Sequence, residues 1–220
     1  MTYYAIIGDI KESKKIEERA SAQEKLYKTL KEVNATYKEQ IAANFLITLG
    51  DEFQGLLHHS TKLLDIIKYI QREMYPIEIR FGIGIGEIYT EIDREAAIGA
   101  DGPAFYAARN VLQKIHEQER KLKRQAADIQ IAYYDRTDFS LTQINMMLSL
   151  IKVIEDSWYE KQRYTIWDMM SHQDNQSMCA ERMNTTQSAV AKRLSEGKYL
   201  VYKSSLDTIS EAITRLEDKV

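Results

Sequence analysis

The sequence holds one cysteine, Cys179, and two prolines, Pro76 and Pro103, among 220 residues. A lone cysteine excludes an internal disulfide, and Cys179 has no Cys or His neighbour at zinc-ligand spacing, so it is expected as a small buried apolar side chain on a helix. No apolar run approaches the roughly 20 residues that a membrane-spanning helix needs. The chain opens on a strand-like segment instead of a charged-then-apolar leader, which predicts a soluble, cytoplasmic protein with no membrane partner. Neither sign of charge dominates: Lys+Arg number 30 against 33 Asp+Glu, a net charge of −3. That balance excludes indiscriminate coating of nucleic acid, which depends on neutralising phosphates. With 44% hydrophobic residues the chain can bury a core and a smaller second unit.

Glycine is scarce in one half only: eight of nine glycines lie at or before Gly102, as do Pro76, with Pro103 just beyond. The first half is therefore turn-rich, while the second reads as consecutive helices joined by short polar turns. The polar cluster Asp135-Arg136-Thr137-Asp138 places a boundary there, giving units 1–138 and 139–220. In the first unit, Tyr3 to Ile7 is a buried strand, and Leu26, Leu30, Val33, Tyr37 and Ile41 mark one face of a long helix. Phe45 to Leu49 and Phe53 to Leu57 form a hairpin around Gly50-Asp51-Glu52, and Leu63 to Ile70 a second helix. Ile77 to Ile85 alternate with Glu78, Arg80, Gly82 and Gly84, which is a strand; a helix follows Pro103, and Ile129 to Tyr133 is a last strand. The order predicts an α+β, ferredoxin-like palm with its helices on one sheet face.

In such a palm the end of the first strand lies beside the hairpin turn, which brings Asp9 near Asp51 and Glu52. Neighbouring carboxylates repel unless a cation sits between them, and paired carboxylates with phosphate oxygens are the usual way of holding Mg²⁺. Singly, Asp9 reads as a strand-end residue capping amides and Asp51 as a turn residue. The stretch Leu49-Gly50-Asp51-Glu52-Phe53-Gln54-Gly55 resembles the GGDEF signature of diguanylate cyclases and the Gly-Asp hairpin of class III nucleotidyl cyclases. Gly8-Asp9-Ile10 is similar to their first metal aspartate, Arg80 to Glu87 to their Gly-rich strand, and Gly102 to Arg109 to the helix that supplies an asparagine and an arginine. The resemblance implies Mg²⁺ or Mn²⁺ on Asp9, Asp51 and Glu52, with nucleotide phosphates near Gly8, Ile10, Gly50, Gly82, Gly84 and Arg109. The sequence also departs from the pattern. Leu49 replaces the first GGDEF glycine, Ile47 stands where a purine-reading lysine is common, and the asparagine position holds Phe105 or Tyr106. A palm that binds nucleotide and metal without cyclising is the expectation. Gly82, Gly84 and Gly86 have a second explanation, the close approach of a helix; Arg109 has one as well, a surface ion pair. His58, His59 and His116 lack a base–nucleophile arrangement, and Lys114 to Arg124 reads as a solvated helix face.

Residues near 175 to 203 carry the pattern of a DNA-reading helix-turn-helix. Ala180 is small where two helices cross, Asn184 tolerates left-handed backbone, and Met183, Val190 and Leu194 tie the second helix down. Thr185-Thr186 supplies a capping hydroxyl, although Thr185 stands where an apolar residue is usual. Between Arg182 and Lys203, five cations (Arg182, Lys192, Arg193, Lys198, Lys203) stand against one acid, Glu196. Thr186, Gln187, Ser188 and Ala191 would meet base edges, and Lys192, Arg193 and Lys198 would meet phosphates. An ordinary antiparallel helix pair is the alternative.

Over its whole length the sequence resembles the SatD family, on Ala5 to Lys11, Leu49 to Gly55, Ile77 to Glu87, Ala97 to Ala104 and Gln187 to Leu194. Three functions follow from these parts: a DNA-binding regulator with a nucleotide- and metal-sensing palm, a metal-dependent nucleotide-processing enzyme localised by its helix-turn-helix, or an adaptor with a degenerate palm. Apolar stripes at Ile144 to Ile154 and Tyr199 to Leu216 read as core or as the seam of a homodimer, which helix-turn-helix proteins commonly form.

Overall fold

Alternation along the strands decides which side chains meet which helices. In β1 (Tyr3–Ile10), Tyr4, Ile6 and Ile10 point to one side of the sheet and Ala5, Ile7 and Asp9 to the other. The computed structural model describes residues 1–122 and 127–217. After β1 come α1 (Arg19–Thr36), the hairpin of β2 (Ile41–Leu49) and β3 (Glu52–Leu57), α2 (Leu63–Met74) and β4 (Ile79–Gly86), a ferredoxin-like βαββαβ unit. A crossover through α3 (Pro103–Leu122) adds β5 (Ile129–Tyr133) parallel to β4, and the sheet order is β2-β3-β1-β4-β5. All other pairings are antiparallel.

Two expectations change. Ile41 starts β2 instead of ending α1, because the chain turns at Tyr37, whose carbonyl accepts the Gln40 amide. The helices also do not share one sheet face: α1 and α2 cover one, and α3 covers the other. α3 can lie close because Ala104 and Ala108 meet bare strand, and a Cβ on Gly82 or Gly84 would overlap the Ala108 or Ala104 carbonyl oxygen. The rest of the Lys114 to Arg124 stretch beyond Leu122 lies outside the described residues.

Both sheet edges are closed by an asparagine from a helix. Asn34 of α1 exchanges two hydrogen bonds with Phe45 of β2 (2.8 and 2.9 Å), and Asn145 does the same with Ile131 of β5 (2.8 and 2.9 Å). Such side-chain pairing satisfies edge groups that would otherwise template association. Asn145 belongs to α4 (Phe139–Asp156), whose first turn is capped by Asp138 accepting from the Ser140 and Leu141 amides. There follow α5 (Glu160–His172), α6 (Gln176–Arg182), α7 (Gln187–Glu196) and α8 (Tyr199–Glu217).

The buried cluster is continuous from the α1/α2 face of the sheet through these helices. Ile144, Leu148 and Ile151 of α4 and Tyr202, Leu206, Ile209 and Ile213 of α8 are all buried in it. These stripes, read as core or as a dimer seam, form core within the chain, because α4 and α8 pack on each other and on the palm. Among the described residues no helix is long and apolar enough to cross a membrane.

Candidate functional site

The start of β4 faces the end of β1, so Asp9 is Cα partner to Glu52 on one side and Arg80 on the other. Arg80 Nη1 donates to Asp9 Oδ2 at 3.0 Å, and His116 Nε2, reaching down from α3, lies 3.2 Å from the same oxygen. The other oxygen, Asp9 Oδ1, is buried with no hydrogen-bond partner among the described residues. Burial pushes the Asp9 carboxyl above its ordinary range; Arg80 and His116 pull it down, and the nearby Asp51 charge pushes it up again. The Asp51 backbone carbonyl accepts from the Ile10 amide at 3.3 Å, so hairpin turn and strand end are in contact.

Arg80 extends the network away from the turn. Its Nε and Nη2 donate to Glu119 Oε2 at 2.8 and 2.6 Å. Glu119 lies 3.6 Å from Lys11, which pairs with Asp128 before β5; Asp128 also meets Lys152 of α4 at 3.3 Å. Lys152 pairs in addition with Asp156 and lies 3.4 Å from Glu78. Burial raises the Asp128 carboxyl against the pull of Lys11 and Lys152, whereas at Glu78 the two lysines outweigh burial and hold it below its ordinary value. A line of buried and part-buried charge therefore joins the Asp9 site to the helical region.

The structure brings Asp9, Asp51 and Glu52 to one end of the sheet, with Glu52 accepting from Thr48 Oγ1 at 3.3 Å. Among the described residues, no group of three or more His, Cys, Asp or Glu is arranged to hold a metal ion. A Mg²⁺ site completed by phosphate and water needs only one or two carboxylates, and the buried, unpaired Oδ1 of Asp9 near Asp51 fits that donor set. Gly8 lies under the Phe53 ring, and Ile10 is buried in the core. Gly50 takes φ +64° in the hairpin turn with open space beside it. Beside Gly82 and Gly84 stands the backbone of α3, which fills the room a phosphate would need. Arg109 is exposed on α3, two helical turns or roughly 10 Å before His116. His116 and Glu119 were invisible to local spacing, whereas Arg80, at the start of a strand that alternates, had a position from which pairing with Asp9 could be drawn.

At the far end, α6 and α7 meet through a tight turn. Thr185 N–H reaches Ala180 O (2.9 Å) and Asn184 N–H reaches Glu181 O (3.1 Å), the paired bonds of a Schellman motif, with Asn184 at φ 46°. Thr186 caps α7 by accepting from the Ala189 amide at 3.2 Å. Val190 and Leu194 are buried, Thr186, Gln187, Ser188, Lys192 and Lys198 are exposed, and Ala191 and Arg193 are half-buried. Arg193 Nη1 donates to Thr165 of α5 at 3.4 Å. Arg182 is fully engaged, donating to both Asp168 (2.7 Å) and Asp174 (2.6 Å), so this cation locks α6 to α5. Cys179 is buried among them, its thiol pushed up to about 12 by burial and by the Asp168 carboxylate. It is an inert thiol, as a small core residue should be.

A five-stranded ferredoxin-like sheet with paired carboxylates at its hairpin end, followed by a C-terminal set of helices, defines the class. The model of the SatD family matches residues 3–213, so the chain belongs to that family. No curated protein matches it. Among solved structures it is similar to a bacterial light-regulated adenylyl cyclase (10% identity, TM-score 0.42, covering 59% of this chain and 74% of that one). It is also similar to the guanylate cyclase domain of RhGC from Catenaria anguillulae, solved with GTP (14% identity, TM-score 0.36, 49% and 70% covered). A regulator of polyketide synthase expression from Bifidobacterium adolescentis spans 99% of this chain and 86% of its own at 12% identity and TM-score 0.26.

Proposed function

We propose that the protein is a cytoplasmic DNA-binding regulator whose palm holds a nucleotide through Mg²⁺ or Mn²⁺ on Asp9 and Asp51. The observation that carries the DNA half is the α6–α7 pair: a left-handed Asn184 turn, a capped α7 anchored by Val190 and Leu194, and an exposed Thr186, Gln187, Ser188 and Lys192 face. These are the parts a helix needs to enter a major groove. Lys192, Lys198 and Arg193 are the cations that can meet phosphates, since Arg182 is held within the chain by Asp168 and Asp174. Two copies would be needed to read paired half-sites. The exposed apolar stripe Met146, Leu150 and Val153 on α4 is the face assigned to that contact. Gel-shift or anisotropy measurements against genomic fragments, with and without nucleotide and Mg²⁺, test the proposal. Absence of any sequence-specific complex under all these conditions overturns it.

The unpartnered Asp9 Oδ1 beside Asp51 favours a second function, metal-dependent nucleotide processing. That alternative requires turnover of a nucleoside triphosphate with Mg²⁺ or Mn²⁺ that disappears in Asp51→Ala, and an inert wild type removes it.

A further inference from the structure

The opposite end of the sheet carries a cleft of about 700 Å³, within the roughly 300–1,000 Å³ range of small-molecule sites. It opens at the carboxyl ends of the parallel neighbours β4 and β5, the position where open sheets with parallel strands usually receive ligands. β4 separates it from Asp9 by roughly 20 Å, since Arg80 pairs with Asp9 at one end of that strand and Gly86 lines the cleft at the other.

Its lining is rich in flat side chains that are left uncovered. Tyr89 is 70% exposed and Tyr134 50% exposed. Tyr134 is held edge-on by Tyr106, 5.1 Å away between centroids, and the Tyr106 hydroxyl is itself fixed by Asp101. The Arg136 guanidinium stacks 3.8 Å over the Tyr133 ring and has no acidic partner among the described residues. His58 lies on the same wall, and burial, His59 and Arg94 all lower its pKa, so it is a neutral ring there at neutral pH. Against one free cation stand Glu87 and Asp135, which accept hydrogen bonds and repel a heavily charged anion.

We infer that this cleft binds a purine nucleoside monophosphate without metal. The base stacks on the held Tyr134 ring, Arg136 meets the single phosphate, and Glu87 and Asp135 accept from amino or ribose hydroxyl groups; a triphosphate carries too much charge for them. The site is independent of the palm proposal above. Calorimetric titration of the full chain with AMP and with GMP in EDTA is the test. Binding is expected in EDTA, kept in Tyr134→Phe, weakened about 5- to 150-fold in Tyr134→Ala because base–aromatic stacking is lost, and weakened further when Arg136→Ala is added. Both residues are exposed, so the variants should keep the wild-type melting temperature. No binding of either monophosphate, binding that EDTA abolishes, or binding that the double variant leaves unchanged overturns the inference.

Discussion

Asp9 and Arg80 are directly opposed on adjacent strands, and the guanidinium occupies one carboxylate oxygen while the other stays unpartnered. Both side chains are buried, so each neutralises a charge that would otherwise be stranded. Removing one partner of a buried pair typically costs about 3–5 kcal/mol, whereas replacing both by apolar groups is often close to neutral. Arg80→Met should therefore lower the urea-unfolding free energy by an amount in that range. Asp9→Leu combined with Arg80→Met should lose less than Arg80→Met alone. Equal losses would mean that the pair does not act as a unit and that Glu119 is the partner that matters.

Gly84 offers a test of how the palm's second face is built. A methyl there would overlap the Ala104 carbonyl oxygen, which belongs to helix backbone and cannot rotate away, so Gly84→Ala forces α3 off the sheet. Overpacking of this kind costs about 1–3 kcal/mol or more. Gly50→Ala faces open space and suffers only its φ of +64°, roughly 1 kcal/mol. Thermal unfolding of the two variants should rank Gly84→Ala clearly worse.

The same glycines show where the sequence stopped being informative. Alternation of Ile with Gly along β4 identified the strand and its bare face, but a bare face suits a helix or a ligand equally, and only the placement of Ala104 and Ala108 decides. Asp9, Asp51 and Glu52 were legible because a hairpin turn and a strand end must adjoin in this topology. His116 and Glu119 were not, since their meeting with Asp9 and Arg80 depends on the rotation of α3 about its axis, which local spacing leaves free. Asn184 was legible for a backbone reason: few residues tolerate a left-handed turn. The apolar stripes of α4 and α8 were correctly recognised as buried surfaces, but periodicity does not say whether the covering partner is another element of the same chain.

Arg182 makes the α5–α6 corner pH-dependent. Its hydrogen bonds hold Asp174 below the ordinary carboxylate value near 3.8, and at Asp168 they outweigh the upward push of burial. Both groups ionise at lower pH folded than unfolded, so the unfolded chain binds more protons in that window and stability rises with pH there. The contribution is complete above the ordinary value and is lost as pH falls through the folded ones. The melting-temperature gap between wild type and Arg182→Met should accordingly be widest above about pH 5 and close toward about pH 2. A gap that does not change with pH would assign the loss to packing of the arginine stem.

If α7 reads DNA as proposed, its polar residues divide by what they touch. Lys192 and Lys198 are exposed cations; Lys192's only charged neighbour is Glu196, 3.9 Å away, among the described residues. Each phosphate contact releases counterions, so Lys192→Ala and Lys198→Ala should each reduce the slope of log affinity against log salt by about 0.9 and weaken all sequences alike. Gln187 stands at the exposed start of α7, where a base edge comes within reach. Gln187→Ala should leave the salt slope unchanged and cost about 1–3 kcal/mol on the preferred sequence only, because a bidentate adenine contact is lost. Anisotropy titrations at several salt concentrations separate the two effects. A Gln187→Ala loss that is equal on specific and random DNA would place α7 on the phosphate backbone and outside the groove.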